Sequence, residues 1–214
     1  MKKKVIFIDW NRTLSYSLFW EHLKNSDHVN SRHHGAIEKW LFVDNKDVIK
    51  PWMLGTESVD NIIDKMSHTI GVDKNLILDE LVESCNNMVL CSADIEPLVR
   101  QLQRHGALVV IATDNMDTFR EYTVPALKLD ELFDDILISS ELGKVKDDVL
   151  PSDKILFFDE YLTKNGLTYQ DSVLLDDSPD SSGKYSKLGF ERILIDSPAK
   201  LVSTLEDMAT AYAS

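Results

Sequence analysis

The sequence is poor in cysteine, in long apolar segments and in basic side chains. Its only cysteines, Cys85 and Cys91, are too few for a disulfide framework or a cysteine-based metal site, and they fit a reducing compartment such as the cytoplasm. The apolar run at residues 5–8 is shorter than the ~7–15 residues of a signal-peptide core. No run approaches the ~18 apolar residues of a membrane span, so we expect no membrane partner.

The charge balance is strongly acidic. Lysine and arginine number 23 against 36 aspartate and glutamate residues, which gives a formal net charge of −13. Because nucleic-acid binding needs basic patches that neutralise phosphates, we expect no nucleic-acid partner. The length of 214 residues and the hydrophobic content of 43% suit one large domain, or one domain with a smaller insertion.

Short apolar runs recur along the chain and have the character of strands buried inside a parallel sheet. They are residues 5–9, 107–112, 135–139, 172–176 and 192–196. Helical patterns with recognisable ends lie around them: 96–105 ending at Gly106, a segment from Asp117 interrupted by Pro125, one starting at Ser152, and a short one between Pro179 and Gly189. Strands alternating with such helices predict an α/β protein with a Rossmann-like, doubly wound parallel sheet.

The segment between the first two strands is the exception to this alternation. Residues 16–89 hold no convincing strand, and their apolar residues follow helical spacing, as in Ile37, Trp40 and Leu41. Such a length is far beyond an ordinary connection between a strand and a helix. We therefore predict a helical cap at 16–89, inserted into a core made of residues 1–15 and 90–214.

Polar residues follow the predicted strand ends. They are Asp9 and Asn11; Thr113, Asp114 and Asn115; Lys144 and Lys146; and Asp176 and Asp177. The carboxyl ends of parallel strands meet at one edge of an open sheet, where α/β proteins bind ligands. Carboxylates that hold a hard divalent cation, beside a lysine and a hydroxyl, suit phosphoryl chemistry.

Four segments together resemble the motifs of the haloacid dehalogenase-like (HAD) hydrolases. They are Asp9-Trp10-Asn11-Arg12-Thr13-Leu14, Thr113 after an apolar strand, Gly143-Lys144-Val145-Lys146 and Leu174-Leu175-Asp176-Asp177-Ser178-Pro179. Their order and approximate spacing fit, and the helical segment stands where that superfamily has its small helical cap. The resemblance covers nearly the whole chain.

The resemblance implies a Mg²⁺-dependent phosphatase of a small phosphorylated metabolite. It makes Asp9 the nucleophile and a metal ligand, and it has Asn11 give its backbone carbonyl to the metal. Lys146, which fits the spacing better than Lys144, would bridge nucleophile and phosphate. The resemblance also implies metal binding by Asp176 and Asp177 and a hydrogen bond from Thr113 to a phosphoryl oxygen of the substrate. Arg12, which replaces a glycine common in the family, is a further candidate for substrate binding, together with Asp114 and Asn115.

Asn11 departs from the pattern of the family, which has an aspartate there as general acid and base. An amide cannot exchange the proton, and losing such a group typically lowers the rate by ~10²–10⁴. Three alternatives stay open: a slow phosphatase, with Asp114 or Asp117 as a substitute proton donor; a metal- and phosphate-binding regulatory protein without turnover; and a phosphonate-cleaving or dehalogenase-type hydrolase.

Two further groups of residues have ordinary explanations. His28, His33 and His34 lie close together in the sequence, but no carboxylate or cysteine completes a zinc-ligand spacing, so we expect solvated or substrate-facing side chains. Among the aromatic residues, Trp20 and Trp40 have the spacing of packing residues, whereas Trp10, next to Asp9, is a candidate for lining a substrate pocket.

Overall fold

The structure is a computed structural model and describes residues 2–148, 150 and 154–213. Its parallel sheet has the strand order β3-β2-β1-β4-β5. The strands are β1 Val5–Ile8, β2 Leu108–Thr113, β3 Asp135–Ile138, β4 Ser172–Asp176 and β5 Glu191–Leu194. The predicted α/β class and doubly wound parallel sheet are confirmed. The predicted helix start at Ser152 lies outside the described residues.

The central position of β1 in the sheet explains why its sequence is apolar throughout. Val5 and Phe7 belong to one hydrophobic cluster, and Ile6 and Ile8 belong to another. Successive side chains of a strand point to opposite faces, so both faces of the sheet are covered. One cluster includes residues of the helices Ile95–Arg104 and Pro198–Ala213, and the other includes residues of the helices Leu156–Lys164 and Lys184–Lys187.

Helices surround the sheet on both faces. The α-helices of the described residues are α1 His34–Lys39, α2 Ile49–Met53, α3 Val59–Ile70, α4 Lys74–Asn86, α5 Ile95–Arg104, α6 Val124–Leu127, α7 Leu129–Leu132, α8 Ser139–Leu142, α9 Leu156–Lys164, α10 Lys184–Lys187 and α11 Pro198–Ala213. Short 3-10 turns lie at Glu21–Lys24, Ser31–His33, Lys46–Val48 and Tyr169–Asp171, and π turns at Trp40–Asp44 and Phe119–Thr123.

Local chemistry sets the ends of the longer helices. Ser58 accepts a hydrogen bond from the Asn61 N–H at the start of α3, and Asp73 accepts one from the Leu76 N–H at the start of α4. These side chains satisfy backbone donors that a helix start leaves free. Helix α3 ends at Gly71, which has a φ of 70°, a conformation that a glycine adopts without strain.

The chain between β1 and β2 is helical, as predicted. In the described residues it contains α1–α5 and the neighbouring turns, without a strand. The two ends of the insertion lie side by side, because the Cys91 N–H donates a hydrogen bond to the Leu14 carbonyl at 2.8 Å. Its apolar side chains share one cluster with a face of the sheet. The division into a cap at 16–89 and a core stays a prediction.

A polar network joins the first turn of this insertion to α4. Glu80 is buried, its Oε2 lies 2.6 Å from His22 Nε2, and its Oε1 accepts a hydrogen bond from Asn30 Nδ2. Burial would raise the pKa of Glu80, but the hydrogen bonds from His22 and Asn30 bring it below its ordinary value. His28 stands 3.7 Å from the same carboxylate. Of the histidines grouped in the sequence, His28 thus has a carboxylate partner that sequence spacing did not reveal.

No helix within the described residues is both long enough and apolar enough to cross a membrane.

The insertion meets the core at Gly55, and this contact predicts a sharp effect of a small substitution. Gly55 has a φ of 69°, and a Cβ there would lie 2.1 Å from the Ser140 carbonyl oxygen of α8. Gly71 has nearly the same φ, 70°, with open space around it. We expect Gly71→Ala to lower the free energy of unfolding by about 1–2 kcal/mol through the left-handed backbone. In Gly55→Ala the free energy of unfolding should fall by about 1–3 kcal/mol more than in Gly71→Ala, because the backbone must shift to relieve the clash.

Urea unfolding of the two variants and the wild type measures this difference. Gly71→Ala is the matched control, since it has the same backbone cost and no clash. Equal losses in both variants would contradict the close approach of the insertion to α8.

Candidate active site

The polar residues predicted at the strand ends converge on one edge of the sheet. Asp9 directly follows β1, and Thr113 and Asp176 end the two strands that flank it. The Asp9 N–H donates to the Leu175 carbonyl at 2.9 Å, which prolongs the pairing of β1 with β4. Asp9 is 5% exposed and Asp176 only 1%. The sheet thus presents two carboxylates together in a largely dry position.

An ammonium group lies between these carboxylates. Lys146 Nζ is 2.7 Å from Asp9 Oδ1 and 2.6 Å from Asp176 Oδ2, and its side chain is buried. Its backbone is fixed as well, because its N–H donates to Asp114 Oδ1 at 3.0 Å and its carbonyl accepts from the Tyr185 hydroxyl at 2.8 Å. Of the two lysines weighed from sequence, the structure brings Lys146 to the carboxylates.

Arg192 is a member of this cluster that the sequence analysis did not identify. Its Nη2 donates to Asp176 Oδ1 at 2.8 Å, and its guanidinium lies 4.9 Å from the centre of the Tyr185 ring. It stands in β5 opposite Leu174 of β4. Arg192 begins the predicted run 192–196, and a charged residue at that place was the available signal, since such a side chain needs a partner when it is buried.

The charges of this cluster shift its pKa values in opposite directions. Burial raises the pKa of Asp9 to about 7 against the attraction of Lys146, and the nearby Asp176 adds to the rise. Burial raises the pKa of Asp176 too, but Lys146 and Arg192 together hold it below its ordinary value. Burial would lower the pKa of Lys146, yet the two carboxylates bring it above its usual range. Asp9 is therefore the carboxylate with the least compensation.

Asp9, Asp176 and Asp177 could hold a cation together. Each offers one carboxylate oxygen, and these oxygens all lie within 4.8 Å of one another. Carboxylate oxygens are the ligands that hard divalent cations such as Mg²⁺ prefer. A further charge of +2 would also offset the poorly compensated Asp9. The donor set and the electrostatics of the described residues therefore fit a hard divalent cation.

These groups open into a small cavity of about 180 Å³, which we call the acidic cavity. The residues that line it are Asp9, Asn11, Asp114, Lys146, Asp147, Asp176, Asp177, Ser178 and Arg192. The buried Thr113 hydroxyl at the same edge of the sheet has no hydrogen-bond partner among the described residues. An orphaned hydroxyl is costly in a dry site, and a ligand oxygen could satisfy it.

A second cavity of about 270 Å³ adjoins the first, and we call it the apolar cavity. The residues that line it are Trp10, Asn11, Ser17, Leu18, Phe19, Lys24, Glu38, Phe42, Ile49, Met53, Met88, Asp114, Asn115 and Met116. Asn11 and Asp114 belong to both cavities. Of the aromatic residues singled out from sequence, Trp10 lines this cavity, whereas Trp20 and Trp40 are buried in the core.

Two other residues considered for the site lie elsewhere. Arg12 is exposed, with a φ of 57°, and among the described residues it lines neither of the two cavities. Asp117 accepts hydrogen bonds from Trp52 Nε1 at 2.7 Å and from the Val59 N–H at 2.9 Å. These bonds join it to the insertion, which leaves Asp114 as the better candidate for a proton donor.

The raised pKa of Asp9 predicts a pH-dependent stability. The folded chain keeps a proton on Asp9 from its ordinary value near 3.8 up to about 7. The stabilisation from this proton is complete below pH ~4 and is lost as the pH rises through ~7. Asp9→Asn removes this titration. From pH 5 to pH 8, the free energy of unfolding of the wild type should therefore fall by about 1–3 kcal/mol relative to that of Asp9→Asn.

Urea unfolding of the two proteins at pH 5 and pH 8, in the presence of a chelator, measures this change in relative stability. The exposed Asp207 of α11 provides the control variant Asp207→Asn, whose difference from the wild type should stay constant. Parallel pH profiles for Asp9→Asn and the wild type would show that Asp9 is not the poorly compensated carboxylate.

Comparison with known proteins shows which solved structures share this fold. No model of a known protein family matches the sequence, and no curated protein matches it. Solved structures do match. A predicted HAD-like family hydrolase from Porphyromonas gingivalis has a TM-score of 0.71 at 18% identity, over 97% of this chain and 98% of its own.

Two other similar structures belong to enzymes, and one of them contains bound ligands. A HAD family enzyme from Bacteroides thetaiotaomicron, in complex with magnesium and inorganic phosphate, has a TM-score of 0.63 at 16% identity, over 92% of this chain and 96% of its own. A dehalogenase has a TM-score of 0.59 at 15% identity, over 91% and 85% of the two chains. The present chain therefore has the fold of the HAD-like hydrolases, as its four motifs predicted.

Proposed function

We propose that the protein is a Mg²⁺-dependent phosphatase that acts on a small phosphorylated metabolite through an aspartyl-phosphate on Asp9. The contact of Lys146 Nζ with both Asp9 and Asp176, at 2.7 and 2.6 Å, is the observation that carries this proposal. It places a fixed positive charge beside the nucleophile, where a phosphate must arrive. The similar enzyme from Bacteroides thetaiotaomicron, whose structure contains magnesium and inorganic phosphate, supports the same interpretation.

The cation would be held by the carboxylates of Asp9, Asp177 and Asp176 and by the backbone carbonyl of Asn11. Asp176 already has Lys146 and Arg192 as partners, whereas the half-buried Asp177 has no ion pair among the described residues. Asp177 is accordingly the freer ligand. When bound, Mg²⁺ neutralises phosphate oxygens and makes the phosphorus more electrophilic.

The side chains of this chain divide the reaction between them. A carboxylate oxygen of Asp9 attacks phosphorus, and the bond between phosphorus and the leaving-group oxygen breaks. Lys146 stabilises the charge on the equatorial phosphate oxygens, and the Thr113 hydroxyl donates a hydrogen bond to one of them. Water then attacks the phosphorus of the aspartyl-phosphate, and the bond between phosphorus and the Asp9 oxygen breaks. The proton of the water returns to the group that protonated the leaving group, and inorganic phosphate is released.

The leaving group needs a proton that Asn11 cannot supply, and Asp114 is the candidate source. Asp114 lines both cavities, as Asn11 does. Burial raises the pKa of its carboxyl above the ordinary value, despite the opposing effect of Lys146. A carboxyl that keeps its proton nearer to neutral pH is better suited to act as a general acid.

Two other functions share parts of this evidence. A regulatory protein that binds metal and phosphate without turnover is favoured by Asn11 itself. The likeness to a dehalogenase favours hydrolysis of a carbon–halogen or carbon–phosphorus bond. A metal-independent dehalogenase is disfavoured, because the close carboxylates of Asp9, Asp176 and Asp177 would then have no evident purpose.

With both thiols free, we propose a reducing compartment, the cytoplasm, as the site of action.

Sustained phosphate release from a panel of phosphoesters tests the proposal. We expect turnover with Mg²⁺, loss of turnover with a chelator, and a fall of about 10³-fold or more in Asp9→Asn. Asp207→Asn should retain the wild-type rate. Binding of Mg²⁺ and phosphate without release, even in Asn11→Asp, would instead establish the regulatory alternative. Halide or phosphonate cleavage without phosphoester turnover would establish the third.

Asp114→Asn tests the source of the proton, because the substituted amide oxygen can still accept the hydrogen bond from the Lys146 N–H. Turnover of an alkyl phosphate should fall by about 10²-fold or more. Turnover of p-nitrophenyl phosphate should fall far less, since its acidic phenol leaves without a proton. Adding Asn11→Asp should restore the alkyl reaction. Equal losses on both substrates would show that Asp114 only positions Lys146.

A further inference from the structure

The apolar cavity borders the acidic cavity that contains the proposed nucleophile. Asn11 and Asp114 line both cavities, so a charged space and a more apolar one meet at these two residues. Phosphate in the acidic cavity, against Lys146, leaves the esterified group to extend past Asn11 and Asp114. The apolar cavity therefore receives the part of the substrate that distinguishes one phosphoester from another.

The lining of this cavity is mostly hydrocarbon, thioether and aromatic ring. The apolar side chains are Trp10, Leu18, Phe19, Phe42, Ile49, Met53, Met88 and Met116. Lys24 and Glu38 add charges at exposed positions, and the remaining polar lining residues are Asn11, Ser17, Asp114 and Asn115. Over the apolar part of the wall, a sugar or polyol would exchange its hydrogen bonds to water for contacts with hydrocarbon, at a cost in affinity.

The size and chemistry of the wall favour a ring. A dry apolar cavity of ~150 Å³ is known to accept benzene, and this one measures about 270 Å³. Trp10 directly follows Asp9 in the chain, and its indole is held in place by Phe119 at 5.0 Å between ring centres. The thioethers of Met53, Met88 and Met116 are polarisable and make favourable contacts with aromatic rings.

We propose that the substrate is the phosphate monoester of an alcohol that carries an apolar ring, which the apolar cavity binds. This inference rests on the proposed phosphatase activity and specifies its substrate class. The acidic cavity recognises the phosphate that all candidates share. Selectivity then comes from residues of the insertion, Met88 among them, and from Trp10 and Met116.

Hydrolysis of 2-phenylethyl phosphate and glycerol 3-phosphate provides the test. Both release an alcohol of similar basicity, so the demand for a proton is matched and only the contacts of the leaving group differ. We expect kcat/KM to favour 2-phenylethyl phosphate by about 100-fold or more, since each buried methylene is worth roughly a factor of 4. Methyl phosphate, which fills little of the cavity, should resemble glycerol 3-phosphate.

Neighbouring positions provide a matched pair of variants. Phe42 lines the cavity and is 48% exposed, whereas Val43 is 64% exposed and lies outside the lining. Both should accept an exposed asparagine without unfolding, which circular dichroism verifies. Phe42→Asn should lower the preference for the ring at least about 3-fold, and Val43→Asn should leave it unchanged.

Binding of the free alcohols separates this inference from the proposed function. Saturation-transfer NMR of 2-phenylethanol, with glycerol as comparison, reports on the cavity without any turnover. If phosphoesters are hydrolysed but the ring gives no advantage, the substrate class is wrong and the phosphatase stands. If nothing is hydrolysed yet 2-phenylethanol binds and Phe42→Asn weakens it, the cavity binds a ring and the phosphatase is wrong. Failure of both measurements overturns both.

Discussion

A buried ammonium between two carboxylates determines how the site is built. Lys146 can be held in a dry position only because Asp9 and Asp176 face it at hydrogen-bond distance, and the second carboxylate then requires Arg192. Breaking such a buried pair leaves an uncompensated charge, so the elements that carry these residues must stay in register. The parallel sheet supplies that register, because β1, β4 and β5 are adjacent. Tyr185 and Asp114 fix the backbone of Lys146 itself.

The sequence predicted the sheet well because β1, β2 and β4 are buried along nearly their whole length, and uninterrupted apolar runs are rare elsewhere in the chain. The strands fall within about two residues of the predicted runs, a usual margin for element ends. Contacts between side chains that are distant in the sequence were not predictable in the same way. The choice between Lys144 and Lys146 depends on the path of a loop. The partnership of Arg192 with Asp176 and the pairing of His22 with Glu80 depend on strand order and on the packing of the insertion, which residue spacing does not encode.

The arrangement of the two cavities gives Asn11 a second interpretation. From the sequence it was a missing acid beside the nucleophile. In the structure it stands with Asp114 at the junction between a charged space and an apolar one. A neutral amide at this junction avoids one more negative charge in a site where Asp9 is already poorly compensated. The electrostatic account of Asp9 and the sequence departure at Asn11 are thus consistent with each other.

The close approach at Gly55 links the insertion to the segment that bears the lysine. Gly55 lies against Ser140, and Leu54 faces Gly143 at the other end of the same short helix. Lys146 follows Gly143 by three residues. Both ends of α8 therefore abut the insertion, and the insertion packs directly on the segment that leads to Lys146. This packing helps to fix the path of the chain that brings the ammonium to the two carboxylates.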